Sequence, residues 1–303
     1  TRNYKDRNHK PELIVALSPT FDALCGFRPR EETLRVLREF TEMGRASGSS
    51  TQFLEAFAGQ LVQQDTDEAA MTWALEWLLT GAAGVQELVR ECVELAALLV
   101  EAPSASSRVS ASIMAESETV RELAAEYPGD PGIVLALLLN RVRLSRGEAL
   151  YLPAGNMHAY LRGLGVELMA SSDNVLRGGL TPKHIDVAEL LAITQCQPLP
   201  IPALLPTVVA AGVEIFAPAV DDFALLHVLL TASVNGGRAS VDFDGPAIII
   251  CTEGELVVTG DRSSTVLLRG EFFFVTPDEG AVTFNGFGEI FAARRGFNPA
   301  FGQ

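Results

Sequence analysis

Gly147-Glu148-Ala149-Leu150-Tyr151-Leu152-Pro153-Ala154-Gly155-Asn156-Met157-His158 is the stretch that decides the fold. Apolar Ala149–Leu152 reads as a strand, Pro153-Ala154-Gly155 breaks it, and a histidine stands three residues past the glycine. One imidazole is thereby placed at the mouth of a β structure. On the N-terminal side Leu139–Leu144 leads into this stretch through Ser145-Arg146-Gly147, and Ile133–Leu139 fits a last helix or a buried strand equally well. Near the start, polar and basic residues give way at Glu12 to Leu13-Ile14-Val15-Ala16-Leu17, a buried-strand run that ends at Ser18-Pro19. Glu12 therefore stands at a strand entrance.

Between these β segments the period changes from strand-like to helical, with Glu31 and Glu32 suited to a first turn and Leu34, Leu37 and Phe40 on one face. Phe53, Phe57 and Leu61 continue the pattern, as do Met71, Leu75 and Leu79, then Val85, Leu88, Cys92, Leu95 and Leu99, then Val120, Leu123 and Tyr127. Such stripes are core faces, and Gly44–Ser50, Gly81–Gly84 and Pro103–Ser107 read as loops between them. Arg28–Glu126 is thus expected to be a helical domain inserted into a β domain, ending at Tyr127-Pro128-Gly129-Asp130-Pro131.

His184–Leu191 reads as a short helix, and Pro198, Pro200, Pro202 and Pro206 mark a stiff linker. From Val208 the chain is all-β, with strands expected at Val213–Phe216, Phe223–Leu229, Ala247–Cys251, Glu255–Thr259, Thr265–Leu268, Phe272–Val275 and Ala281–Phe284.

The chain has 303 residues, 48% of them hydrophobic, enough for more than one core. A formal net charge of −15 gives no basic footprint for nucleic acid, and an anionic ligand would need local cations. Cys25, Cys92, Cys196 and Cys251 are far apart without a Cys-x-x-Cys pair, so buried reduced thiols are expected. The longest apolar runs are far below a membrane span and the first residues are not signal-like, so a cytoplasmic monomer without membrane contact is expected.

The spacing Gly147-x5-Pro153-x-Gly155-x2-His158 resembles the second conserved box of cupin barrels, in which the histidine is a metal ligand. Tyr4-Lys5-Asp6-Arg7-Asn8-His9-Lys10-Pro11-Glu12 and Gly165–Lys183 narrow the resemblance to the type I mannose-6-phosphate isomerases, over nearly the whole chain. The resemblance implies a mainly β protein of cupin (double-stranded β-helix) barrels with an α-helical insertion. It divides the chain into residues 1–27 and 128–195 as the catalytic cupin, 28–127 as the insertion, and 196–303 as linker and C-terminal cupin-like barrel. It also implies a sugar-phosphate substrate, mannose 6-phosphate interconverted with fructose 6-phosphate through a cis-enediol, and one Zn²⁺ per chain.

In that family a glutamine and a histidine from an N-terminal segment, a glutamate of the Asn-His-Lys-Pro-Glu block and the cupin histidine hold the metal. Only the last two have counterparts, Glu12 and His158; no Gln-x-His pair stands in the sequence. The front of the first barrel is therefore expected to be absent from this chain; a native protein that began near Thr1 is expected to bind zinc weakly and not to turn over, whereas an upstream Gln-x-His would complete the site. A lone histidine is more often a core or loop residue, and Glu12 alone would be an ordinary carboxylate; the blocks around them favour ligands. By the same resemblance Lys10 and Arg177 are the catalytic cations, Lys183 contacts phosphate, and Tyr160 meets a sugar hydroxyl or forms pocket wall. Arg177 could instead be a structural arginine paired with Asp173. Glu167, polar within an apolar strand, could orient a ligating group. The C-terminal counterpart of the box, Gly270–Gly280, has no histidine after its glycine, and no metal is expected there. The rival expectation is a cupin that binds sugar or metal without isomerising it.

Overall fold

The structure, a computed structural model, describes residues 5–101, 110–234 and 236–296. The expected Pro103–Ser107 loop lies outside them. Strand β1 (Glu12–Ala16) is the centre of a three-stranded antiparallel sheet between β4 (Ala149–Leu152) and β6 (Gly165–Met169). Strand β2 (Thr20–Phe27) is the centre of a second, between β3 (Leu139–Ser145) and β5 (His158–Arg162). Ile14 and Ala16 face Phe21, Ala23, Cys25, Leu150 and Leu152 in the space between the sheets. Leu13 and Val15 point the other way, onto Phe216, Phe223, Leu225 and Phe291 of the C-terminal strands. Burial on both faces explains why this run does not alternate.

Between β2 and β3 the chain makes α1 (Arg30–Ser47), α2 (Gln52–Gln63), α3 (Asp67–Leu79), α4 (Val85–Glu101), α5 (Ala111–Glu126) and α6 (Gly132–Ala136). The expected stripe residues Leu37, Phe40, Phe57, Leu61, Met71, Leu75, Leu88, Cys92, Leu95 and Val120 are buried in one cluster. Gly44 is not in a loop as expected but inside α1, where a Cβ would meet the Thr51 side chain and lie 2.9 Å from Leu95 Cδ2. Close helix contact, and not chain breaking, requires that glycine. The helix proper ends at Gly48, which is left-handed at φ +76°. Buried Glu91 of α4 accepts the Phe53 and Leu54 backbone N–H groups at 2.9 Å, so a carboxylate from another helix closes the N-terminus of α2. The ambiguous run resolves into both alternatives: α6 first, then β3.

Helix α7 (Val187–Ile193) follows the two sheets, slightly later than expected. The proline-rich segment after it is no free spacer. Leu199 donates its N–H to Phe27 O, Tyr151 donates to Pro202 O, and Leu204 donates to Ala149 O, at 2.9, 2.9 and 3.0 Å. Prolines lack the N–H an inner strand needs, and here they cover a sheet edge.

The C-terminal part is an eight-stranded sheet of β7 (Thr207–Ala210), β8 (Val213–Phe216), β9 (Ala224–Leu230), β10 (Arg238–Asp242), β11 (Ala247–Thr259), β12 (Ser264–Leu268), β13 (Phe272–Val275) and β14 (Ala281–Arg294). Two expected strands are the halves of β11, which pairs first with β13 and then with β12. Gly254 marks the join at φ +78°, where any Cβ would strike the Phe287 carbonyl of β14. Ile249, Leu256, Phe284 and Ile290 fill the core so enclosed. Short, largely polar β10 and the exposed β7 carry weak apolar patterns and are not among the expected strands. All four cysteines are buried and free, as expected.

On the outer face of β2, Asp22 is 2% exposed and accepts from Arg143 Nε at 2.7 Å and Arg162 Nη2 at 2.9 Å. Burial alone would raise the Asp22 pKa; the hydrogen bonds from these arginines outweigh it and hold the carboxyl below its ordinary value. A folded-state pKa below the unfolded one adds stability above the ordinary carboxylate range, and this is lost as pH falls through the folded value. Asp22→Asn is therefore expected to destabilise the chain by about 1–3 kcal/mol at pH 7, with the difference closing below about pH 4. Urea melts of both proteins across pH check this, and a deficit that persists unchanged at acid pH contradicts it.

Candidate active site

Antiparallel register assembles the site. Glu12 opens β1, and its neighbour on the same face, Ile14, lies opposite Glu167 of β6, so both carboxylates point between the sheets. On the facing sheet His158 lies opposite Cys25 and Tyr160 opposite Ala23, whose side chains also point inward. Lys10, two residues before Glu12, shares its side of the chain. A cavity of about 510 Å³ opens here, lined by Lys10, Glu12, His158, Glu167, Asn174 and Arg177 among others. That volume suits a small polar metabolite.

Glu12 Oε1 accepts from Lys10 Nζ at 2.6 Å, and Glu12 Oε2 lies 3.3 Å from His158 Nε2. Burial opposes ionisation of Glu12, but the hydrogen bonds from His158 and Lys10 outweigh it and bring its pKa down to about 2. Burial likewise opposes the His158 imidazolium, and the Glu12 carboxylate overcomes it, leaving His158 above its ordinary value. The Nδ1 atom of His158 donates to the Asn156 carbonyl at 3.1 Å, a bond that fixes the ring and directs Nε2 at Glu12. Glu167 behaves oppositely: burial, together with the Glu12 charge, raises its pKa against the favourable contact with Tyr160. Two carboxylates of unlike proton affinity thus share one cavity.

The arrangement fits zinc in donor type and spacing. Two ligands about 2.0–2.1 Å from a tetrahedral zinc are about 3.3–3.4 Å apart, the separation found between Glu12 Oε2 and His158 Nε2. Among the described residues no group of three or more His, Cys, Asp or Glu side chains is placed to hold a metal.

Arg177 lines the cavity and, among the described residues, makes no hydrogen bond or ion pair; the alternative pairing with Asp173 does not occur. Its guanidinium is thus available to an anion. Lys183 is exposed and does not line the cavity. Tyr160 does not line it either: its ring packs edge-on to Phe21 at 5.4 Å and beside His158 at 5.8 Å. Its buried hydroxyl has no hydrogen-bond partner of good geometry among the described residues, and burial, then the Glu167 charge, raises its pKa. His9 turns away to Asp222 Oδ2 at 2.7 Å. Among the described residues none after Thr194 lines the cavity, so the C-terminal sheet stands apart from it.

Sequence reasoning left Asn174 out and gave Glu167 only a supporting part. A carboxylate inside an otherwise apolar strand was the signal for Glu167. Nothing local marks Asn174, whose Oδ1 accepts from Lys5 and Asp6 N–H at 2.7 and 3.1 Å and whose Nδ2 donates to Asp6 O and Asn8 O at 3.0 and 3.2 Å. Its partners lie more than a hundred and sixty positions away in the chain.

The family model of the type I phosphomannose isomerase catalytic domain matches residues 1–30. The mannose-6-phosphate isomerase of Salmonella typhimurium (strain LT2) is 36% identical over 297 residues, covering 95% of this chain and 67% of that protein. An alanine mutant of phosphomannose isomerase from Salmonella typhimurium has a similar structure, with a TM-score of 0.79 at 31% identity over 98% of this chain and 68% of that one. A zinc-bound mannose 6-phosphate isomerase superposes with a TM-score of 0.77 at 32% identity, over 98% and 68%. With the sequence blocks, the fold and two thirds of a relative's length in agreement, the chain belongs to the type I phosphomannose isomerase family.

Proposed function

We propose that this chain carries the site of a zinc-dependent aldose–ketose isomerase acting on mannose 6-phosphate and fructose 6-phosphate. The observation that supports it most is the pairing of Glu12 with His158 at zinc-ligand spacing, in a cavity that also holds Arg177, unpaired among the described residues. The two β units are read as cupin barrels, with residues 1–27 and 128–195 in the catalytic one, 28–127 as insertion and 196–303 as linker and second barrel. Zinc, when bound by Glu12, His158 and further ligands, supplies a Lewis acid for the substrate oxygens. The protein is read as cytoplasmic and monomeric; no helix among the described residues is long and apolar enough to cross a membrane.

The reaction moves a proton from C2 of the open-chain aldose to C1, while the O2 proton passes to O1. Charge develops on the oxygens of the cis-enediol between these transfers. Arg177 is assigned to that charge, since a guanidinium without a partner among the described residues can donate two hydrogen bonds to neighbouring oxygens. Glu167, with its proton affinity raised by burial and by the Glu12 charge, suits a group that takes up and returns a proton. Lys10 keeps Glu12 ionised and presents its remaining N–H donors to the substrate. Lys183, two residues past cavity-lining Thr181, would meet the phosphate at the rim, and Tyr160 supports the wall behind His158.

In the complete gene product His158→Ala is expected to abolish both zinc content and isomerisation, as read by metal mass spectrometry and a coupled assay; zinc at full stoichiometry in the variant contradicts the ligand assignment. Arg177→Ala is expected to lower kcat at least tenfold with zinc retained. Unchanged turnover would make the arginine structural. For Lys183→Ala the expectation is a raised KM at constant kcat, and an unaltered KM removes it from phosphate binding. Zinc without turnover in the unmodified protein favours the rival reading, a cupin that binds sugar or metal without isomerising it.

A further inference from the structure

Among the described residues Arg177 has no hydrogen-bonding or ionic partner, so its position depends on the course of the backbone that carries it. It lies in the irregular stretch from Ser171 to Asp186, between β6 and α7. Asn174 ties the near end of that stretch to residues 5–8. At the far end Leu180 has φ +52°, the one left-handed non-glycine residue among those described. A leucine held there costs energy and persists only where the surroundings fix it.

The fixing group comes from the turn that follows the helical insertion. Asp130, in the turn between α5 and α6, accepts the Leu180 N–H at Oδ2 (3.0 Å) and the Gly132 N–H at Oδ1 (2.7 Å). Its carboxylate therefore bridges the start of α6 and the Arg177 loop. Packing reinforces the bridge: a Cβ on Gly179 would lie 2.8 Å from Asp130 Oδ1 and 3.0 Å from Gly132 Cα, and one on Gly132 would lie 2.8 Å from Leu180 Cγ. We propose that Asp130 is a positioning residue for Arg177, holding the loop through Leu180, and that the turn leaving the helical insertion thereby sets the geometry of the cavity. This deepens the isomerase reading and rests on it for the kinetic arm of its test.

The test compares Asp130→Ala, Asp130→Asn, Arg177→Ala and the Asp130→Ala/Arg177→Ala double variant in the complete gene product. Because a misplacement of about 1 Å can cost about a hundredfold, Asp130→Ala is expected to lower kcat about 10–100-fold with zinc content kept. In the Arg177→Ala background the same change should cost less than about twofold, since the group it positions is gone. Asp130→Asn, which keeps one acceptor oxygen, should fall between wild type and alanine, and it carries the same cycle should the alanine variant not fold. Equal losses in both backgrounds, or no loss, overturn the proposal. Hydrogen exchange at the Leu180 amide gives a readout free of activity: it should quicken about tenfold or more in both Asp130 variants. Unchanged exchange overturns the proposal whatever the kinetics, whereas faster exchange in a protein that is inactive as wild type overturns the isomerase reading alone.

Discussion

The contact between Glu12 and His158 joins two sheets, and the rest of the site depends on it. The two residues are far apart in sequence and belong to sheets that share no strand, yet their polar atoms lie 3.3 Å apart. What brings them together is that β1 and β2 are consecutive and each is the centre of its own sheet, so that one short connection at Ser18-Pro19 holds the sheets face to face. Apolar side chains fill the space between them, and the polar groups occupy its open end. A carboxylate and an imidazole in such a place would be costly unless paired with each other, with a metal, or with further groups such as the Lys10 ammonium, which donates to Glu12, and the Asn156 carbonyl, which accepts from His158.

Around that contact the molecule sorts charge unequally. Glu12 is held ionised by its hydrogen bonds from His158 and Lys10, and the same Glu12 charge raises the proton affinity of Glu167. Arg177 supplies positive charge that no group among the described residues neutralises, in a chain whose net charge of −15 would otherwise repel a phosphorylated sugar. The C-terminal sheet contributes no cavity residue, but it buries the outer face of β1 through Phe216, Phe223, Leu225 and Phe291. Arg146, from the turn before β4, adds ion pairs to Glu253 and Glu289 of that sheet at 2.9 and 2.8 Å. Its contribution to the site is rigidity at the strand that carries Glu12.

Much of this was legible in the sequence, for reasons that differ by element. The helical stripes were readable because a period of 3.6 with one buried face leaves a repeated mark, as at Phe57, Leu61, Met71 and Leu75. The strand after Glu12 was readable from its continuous apolar run. Gly44 misled, because a glycine that admits another helix looks the same in sequence as one that ends a helix. β11 was divided in two because Gly254 bends it without ending it. At the site, Glu12, Lys10, His158 and Arg177 rested on blocks of sequence similar to a known family, and the structure brings these four to one cavity. Lys183 and Tyr160 came from the same blocks, yet neither lines it. Asn174 and Asp130 were illegible, since their meaning lies in hydrogen bonds to backbone groups that only the folded chain brings near.

The measurement that tests the central claim most directly is anomalous X-ray scattering at the zinc edge from crystals of the complete gene product grown with zinc. The account predicts one site, bonded to a Glu12 carboxylate oxygen and to His158 Nε2 at about 2.0–2.2 Å, in the cavity that Arg177 lines. A zinc peak elsewhere, or none between these two side chains, would contradict it.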